Sequence, residues 1–234
     1  MKFTIVIPFY NEETSVSPMF KRLVPVCKSL KDFEILCIDD GSTDKTLINL
    51  KEEQKNCPQL KIIKFHKNAG QSAAFAAGFK EAAGDIIITL DGDLQNPPEE
   101  IPLIVSALNN ADMAVGWRHE RQDTFSKKIA SKLANGLRRY VLDDKVHDTG
   151  CSLKGFKKEV AKNIVFYRGM HRFLPALATM QGYKVTEVKV SHESRQFGIT
   201  KYRTFLRGVP SFFDMLAVLW MRKRKLTFKI DEII

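Results

Sequence analysis

Five short β-rich runs punctuate the first half of the chain, and each empties into a segment crowded with carboxylates, amides and small polar residues. The runs are "FTIVI" (3–7), "FEILCI" (33–38), "KIIKF" (61–65), "DIIITL" (85–90) and "DMAVGW" (112–117). The intervals between them have the length of a crossover helix with its loops. Strands this continuously apolar must be covered on both faces, which predicts a doubly wound, mainly parallel α/β sheet. In such sheets ligands bind beyond the carboxyl ends of the strands. The residues to read for chemistry are therefore "PFYNEE" (8–13), "DDGSTDKT" (39–46), "HKNAGQS" (66–72), "DGDLQNPP" (91–98) and "RHERQD" (118–123).

Neither a G-x-G-x-x-G after the first strand nor a G-x-x-x-x-G-K-[ST] occurs, so no dinucleotide fold or P-loop is supported. In "LDGDLQNPP", Asp91 and Asp93 bring two like charges to one strand end. Two readings fit. A hard divalent cation held between them turns repulsion into attraction, with Gln95 as a neutral oxygen ligand. Alternatively the stretch is a solvated turn in which Asp93 caps a helix beginning near Pro97. "IDDGSTDKT" offers carboxylates and hydroxyls to a nucleobase or ribose, or else an N-cap at Ser42 or Thr43 with Asp44 in the first turn. In "PFYNEE", Pro8 ends the first strand, and Glu12 and Glu13 lie where a helix dipole would favour them.

The strand-helix rhythm weakens after residue 123. "SKKIASKLANGLRRYVL" (126–142) is helical in pattern with a basic face, "DTGCSLKGF" (148–156) reads as a turn and short strand, and "MHRFLPALATMQG" (170–182) as a helix stopped by Gly182. "YKVTEVKVSH" (183–192) alternates like an edge strand, and "ESRQFGITKY" (193–202) is a polar loop. From 205 to 220 the apolar residues Phe205, Val209, Phe212, Phe213, Leu216, Leu219 and Trp220 share one helical face, opposite Arg203, Arg207, Pro210 and Asp214, and "RKRK" follows at 222–225. That pattern suits a lipid headgroup layer, and equally a helix packed on the sheet or on a second subunit.

Net charge is +10, from 37 Lys and Arg against 27 Asp and Glu, which favours an anionic partner: nucleic acid, an anionic membrane or a phosphorylated substrate. Cys27, Cys37, Cys57 and Cys151 form no C-x-x-C pair, so reduced thiols in the cytosol are expected rather than a disulfide framework or zinc site. The five histidines are scattered without ligand spacing and read as packed or solvated residues. "MKFTIVIPFY" reads as a first strand rather than a signal peptide, and no window reaches the ~18 to 20 apolar residues a membrane span needs.

"TIVIPFYNEE", "CIDDGSTDKT", "NAGQSAAFAAGFKEAAGD", "LDGDLQNPPEEI", "GWRHERQD", "DTGCSLKGF" and "RQFGITKY" come in the order and spacing of the inverting GT-A, family 2 glycosyltransferases. They resemble specifically the polyprenyl-phosphate branch, which includes dolichol-phosphate mannose synthases and undecaprenyl-phosphate sugar transferases. The resemblance runs from about residue 3 to about residue 225, and "DGDLQNPPE" is its most specific part. It implies a GT-A domain over 1–202 and a membrane-surface amphipathic helix with a basic tail over 203–234. It implies that Pro8, Tyr10, Glu12, Asp39 and Asp40 bind the nucleoside, with Asp91 bridging to the diphosphate. Asp91, Asp93 and Gln95 would hold Mg²⁺ or Mn²⁺. Arg118 would face the acceptor phosphate with Lys127 and Ser131, although the spacing from Arg118 to the "SKK" helix is shorter than in the dolichol branch. Arg195, Lys201 and Tyr202 would belong to a loop over the donor. The Q-x-x-R-W motif of polysaccharide-polymerising relatives is absent.

The expected reaction moves a hexose from a UDP- or GDP-sugar to undecaprenyl or dolichyl phosphate, with Asp91, Asp93 and Arg118 as catalytic residues. It would take place at the cytoplasmic face of the membrane. Docking is expected to be peripheral, alone or helped by a homo-oligomer or membrane-protein partner. One rival is transfer to a sugar hydroxyl in cell-envelope glycan synthesis, which needs a carboxylate base, for which Asp148 and Asp123 are the candidates. A second is a non-catalytic basic membrane-docking module, which the intact Asp91, Asp93 and Arg118 disfavour. A nucleic-acid-binding domain is favoured by charge alone and leaves "LDGDLQNPP" without a purpose.

Overall fold

The computed structural model of the chain describes residues 1–119, 135–194, 208–226 and 231–232. Its strands are β1 (Phe3–Phe9), β2 (Phe33–Asp39), β3 (Leu60–Lys64), β4 (Ile86–Thr89), β5 (Met113–Arg118), β6 (Lys154–Lys157) and β7 (Val185–Val190). They form one sheet in the order β3-β2-β1-β4-β6-β5-β7. Every pairing is parallel except those of β6, which runs antiparallel between β4 and β5. The mainly parallel sheet expected from the sequence is present, with β7 at its edge.

Alternation along each strand builds two cores. Ile5, Ile7 and Phe9 of β1 face one side with Ile35 and Cys37 of β2, while Val6, Leu36 and Ile38 face the other. The first core is closed by α1 (Val16–Ser29) through Met19, Phe20 and Leu23, and by α4 (Ile101–Ala107) through Ile101 and Ile104. α2 (Thr46–Asn56) adds Leu50 to it. The second is closed by α3 (Gln71–Glu81), α6 (Lys158–Asn163), α7 (Leu174–Met180) and α8 (Gly208–Lys223). Helix α5, described over 135–142, contributes Leu142 to the same side. The result is a helix-sheet-helix sandwich whose strand ends at Phe9, Asp39, Thr89 and Arg118 converge on one edge.

β1 runs one residue past Pro8 and pairs Phe9 with Asp39. Val6 offers its carbonyl to Leu90 N–H on the β4 side. Pro8 has the same parity, so its missing N–H also faces β4, beyond the last paired residues Val6 and Thr89. Proline thereby cannot extend the β1–β4 ladder past Val6, where the acidic loops begin.

Several local expectations change. α2 begins at Thr46, not at Ser42 or Thr43, and Asp44 Oδ1 accepts Thr46 N–H at 2.9 Å. Glu13 does not serve the α1 dipole: its Oε2 accepts Lys45 N–H at 2.9 Å. The 170–182 helix is a 3-10 turn, Met170–Arg172, followed by α7, because Pro175 starts a new helical segment. The four cysteines are free and buried. In α8 the core-facing residues are Met215 and Val218, whereas Phe212, Phe213, Leu216 and Trp220 are exposed. Among the described residues no helix is long and apolar enough to cross a membrane.

Candidate active site

The loops after β1 and β2 are stitched together by polar side chains. Asn11, held at φ 50°, takes Thr43 N–H on its Oδ1 at 2.7 Å and gives its own N–H to Ser42 Oγ at 3.0 Å. Glu12 N–H donates to Thr46 Oγ1 at 2.8 Å, which leaves the Glu12 side chain buried and Tyr10 beside it half-buried. Gly41 closes the arrangement from below: a Cβ there would lie 2.5 Å from the Lys67 carbonyl carbon, at φ +70°.

Asp39 and Asp40 are neighbours in sequence but take different parts. Asp40 Oδ1 accepts Ala69 N–H at 2.7 Å, and Oδ2 accepts Gly70 N–H and Asn68 Nδ2 at 2.9 Å each. Its carboxylate ties the 68–70 loop to β2. Asp39 Oδ1 accepts Ser42 N–H at 3.1 Å, while its buried Oδ2 has no hydrogen-bond partner among the described residues. A buried acceptor without a donor is costly, and a ligand N–H or O–H would satisfy it. Pro8, Tyr10 and Glu12, at the end of β1, thus lie beside Asp39 at the end of β2, and Asp40 is taken up by the 68–70 loop.

The loop after β4 is fixed from three directions. Asp91 N–H donates to Ser152 Oγ at 3.1 Å, and that hydroxyl in turn donates to Asn96 Oδ1 at 2.9 Å. Gln71, at the start of α3, donates Nε2 to Asp91 Oδ1 at 2.7 Å. Gly92 lies flat on Phe9, since a Cβ would meet the ring at 2.5 Å. Asp93 does not cap the helix after Pro97; its Oδ1 accepts Gln95 N–H at 3.2 Å. Burial and the adjacent Asp93 charge push the Asp91 carboxyl up to about 6, and the cations of Lys154 and Arg118 act in the opposite sense. Lys154, buried on β6, donates to the Cys151 carbonyl. Burial lowers its pKa.

Arg118 ends β5 and forks onto Asp148, Nε to Oδ2 at 2.7 Å and Nη2 to Oδ1 at 2.9 Å. Asp148 is therefore committed to a buried ion pair, which argues against it as a general base for a hydroxyl acceptor. Lys127, Ser131, Asp123, Arg195, Lys201 and Tyr202 lie outside the described residues.

Residues 4–165 match the family model described as Glycosyl transferase family 2. The chain belongs to this family. Two curated relatives extend the likeness across nearly the whole glycosyltransferase. A dodecaprenyl-phosphate galacturonate synthase of Rhizobium johnstonii is 37% identical over 235 residues, covering 96% of this chain and 68% of that protein. An undecaprenyl-phosphate 4-deoxy-4-formamido-L-arabinose transferase of Photorhabdus laumondii is 35% identical over 238 residues, covering 100% of this chain and 72% of its own. Among solved structures, glucosyl-3-phosphoglycerate synthase of Mycobacterium tuberculosis with Mn²⁺, uridine diphosphate and glucosyl-3-phosphoglycerate superposes with a TM-score of 0.69 at 18% identity. That match covers 94% of this chain and 79% of the other. The likeness is one of fold, and the fold is GT-A.

Within this glycosyltransferase, the donor set after β4 fits a hard divalent cation. Among the described residues no three His, Cys, Asp or Glu side chains converge to hold a metal. Asp91 and Asp93 would supply two carboxylates and Gln95 a neutral amide oxygen, which would leave coordination positions for phosphate oxygens and water, the shell Mg²⁺ and Mn²⁺ favour.

Sequence reasoning missed the residues that hold this loop. Gln71 belongs to "HKNAGQS", one of the strand-end segments, and that position was its only signal. Asn96 likewise lies in "DGDLQNPP", while Ser152 comes from the turn before β6 and Lys154, whose charge acts on Asp91, from β6 itself. Gln95 meets His192 at 3.4 Å between their Nε2 atoms, and its backbone carbonyl accepts Glu193 N–H at 2.9 Å. Arg22 of α1 then clasps Glu193 and Glu99 together, with four contacts of 2.8–2.9 Å. His192 is half-buried and packs against the candidate metal loop.

Proposed function

We propose that the chain transfers a sugar, with inversion, from a nucleoside-diphosphate sugar to a polyprenyl phosphate at the cytoplasmic surface of a membrane. The observation that carries this reading is the like-charged pair Asp91 and Asp93 at the end of β4, close enough to Arg118 for that cation to act on Asp91. The two curated relatives, named as polyprenyl-phosphate synthase and transferase, support the acceptor class.

In this reading an oxygen of the lipid phosphate attacks the anomeric carbon. The bond from that carbon to the nucleoside diphosphate breaks, and the leaving group takes the electron pair. A phosphate monoester is largely dianionic at neutral pH, its second pKa being about 6, so no protein base has to remove a proton. Arg118, oriented by Asp148, steers the anionic acceptor. Asp39, Tyr10 and Glu12 receive the nucleoside. Asp91, Asp93 and Gln95 would hold Mg²⁺ or Mn²⁺, which when bound offsets charge on the departing diphosphate. In-line positioning of two anionic substrates is then the main task of the protein.

A solved protein of the same fold holds uridine diphosphate with Mn²⁺, so uridine is the first base to test against guanosine. Calorimetry of UDP and GDP with Mn²⁺, on the wild type and on Asp39→Asn, tests the donor assignment. UDP should bind with metal and lose about 10-fold in affinity in Asp39→Asn, the scale of one hydrogen bond to a charged group. Equal affinity in the variant removes Asp39 from the nucleoside site.

A further inference from the structure

The exposed ends of α5 and α8 enclose a groove of about 530 Å³, lined by Arg139, Tyr140, Val141, Asp143, Leu219, Arg222 and Lys223. None of these residues belongs to the candidate active site. Three cations face one carboxylate, and among the described residues that carboxylate makes only a long contact to Arg222, Nη2 to Oδ2 at 3.4 Å. The groove therefore carries excess positive charge over apolar walls. Next to it, α8 turns Phe213 and Trp220 outward, each 63% exposed, together with Phe212 and Leu216, while α5 holds Tyr140 at 89% exposure. Large apolar residues left uncovered side by side mark a surface that meets something. Arg224 lies over the Trp220 ring, 5.9 Å from its centroid, so cation and aromatic are already interleaved.

We propose that this groove is a binding site for the phosphate headgroup of an anionic phospholipid, with the aromatic side chains of α8 and Tyr140 of α5 entering the bilayer interface around it. Charge selects this occupant. A second copy of a chain of net charge +10 would set one basic run at 222–225 against another, whereas an anionic leaflet complements both the groove and the run. Exposed aromatic residues beside a basic cluster are the composition that partitions into the headgroup layer. The site involves two helices, and its α5 half lies in the stretch that the sequence associates with the acceptor. The inference rests on the membrane-surface reading of the function, and it assigns the groove to a bulk phospholipid rather than to the acceptor.

The test is native mass spectrometry of the full chain released from phosphatidylglycerol bicelles, together with flotation on phosphatidylglycerol and phosphatidylcholine vesicles. The wild type should retain phosphatidylglycerol and float with the anionic vesicles only. Free glycerol phosphate should not displace it, which separates a lipid from a soluble phosphate as the source. The triple variant Arg139→Gln, Arg222→Gln, Lys223→Gln should retain no lipid and partition on the order of 100-fold more weakly. The single exposed Lys223→Glu gives the same direction if the triple variant unfolds. Arg224→Gln with Lys225→Gln, outside the groove lining, should weaken flotation yet keep the retained lipid. Retention of lipid by the triple variant, flotation indifferent to lipid charge, or dimerisation through α8 in place of vesicle binding each overturns the proposal. Sugar transfer in detergent is read in parallel. If it persists while lipid retention fails, this site alone is refuted; if it is absent in the wild type, the transferase reading fails instead.

Discussion

Arg118 and Asp148 meet as a two-pronged ion pair, 2.7 and 2.9 Å, with side chains 12% and 7% exposed. Breaking such a pair from the acid side strands a buried cation, at a cost of about 3–5 kcal/mol. Asp148→Asn should therefore lower the thermal midpoint clearly. Arg118→Lys keeps the charge but loses the planar fork, so turnover should fall about 10- to 100-fold while the donor KM changes little. Unchanged turnover in Arg118→Lys would remove Arg118 from acceptor positioning.

Asp91 makes the stability of the metal-free protein depend on pH. Its folded value, about 6, is raised above the ordinary carboxylate value of 3.8 by burial and by Asp93. A raised value means that the folded state holds the proton more tightly than the unfolded chain. The stabilisation is complete below about 3.8 and is lost as pH rises through about 6. At about 1.4 kcal/mol per unit, the loss is on the order of 3 kcal/mol. Melting curves from pH 4 to 8 should show the midpoint fall across this window without metal, flatten with Mn²⁺ and UDP, and flatten in Asp91→Asn. An identical slope in Asp91→Asn would assign the effect to another group.

Gly92 tests how tightly the loop is seated. An alanine Cβ would sit 2.5 Å from the Phe9 ring, so either the ring or the turn must move. Gly92→Ala should cost about 1–3 kcal/mol of stability and raise the donor KM. Phe9→Leu in the same chain should recover part of both. Normal donor binding in Gly92→Ala would show that the turn tolerates displacement.

Arg22 offers a control at a distance from the chemistry. Its guanidinium holds Glu99 and Glu193 while still about a third exposed, so Arg22→Ala should cost only about 1 kcal/mol in stability. The larger effect expected is on Mn²⁺ affinity, because Glu193 N–H holds the Gln95 backbone carbonyl and so fixes where the Gln95 side chain starts. Arg22→Ala should weaken metal binding in the wild type and add nothing in a Gln95→Ala background. Additive losses would mean that Arg22 does not act through Gln95.

The sequence was most informative where chemistry and strand ends coincide. "LDGDLQNPP" marked the end of β4 and offered either a donor set or an ordinary turn, and the family resemblance, not the two carboxylates alone, favoured the donor set. It was silent where pairing decides. The four residues of β6 carry no mark of direction, and only their place between β4 and β5 makes them antiparallel. Asp39 and Asp40 read alike, yet Asp40 ties down the 68–70 loop while Asp39 keeps a buried oxygen without a partner among the described residues. Helix α8 is apolar on two sides, so periodicity alone could not tell that Met215 and Val218 face the core while Phe213 and Trp220 do not. The Arg22 clasp joins residues 77 and 171 positions apart, a separation that local patterns cannot bridge.

The most direct test of the account is formation of a glycolipid from undecaprenyl phosphate in detergent, using labelled UDP- and GDP-sugars with Mn²⁺ or with a chelator. The account predicts a single metal-dependent sugar phospholipid from one donor, and none from Asp93→Ala even though that variant melts as a folded protein. Binding of nucleotide and metal without lipid product from any donor, but with transfer to a sugar hydroxyl, would contradict it.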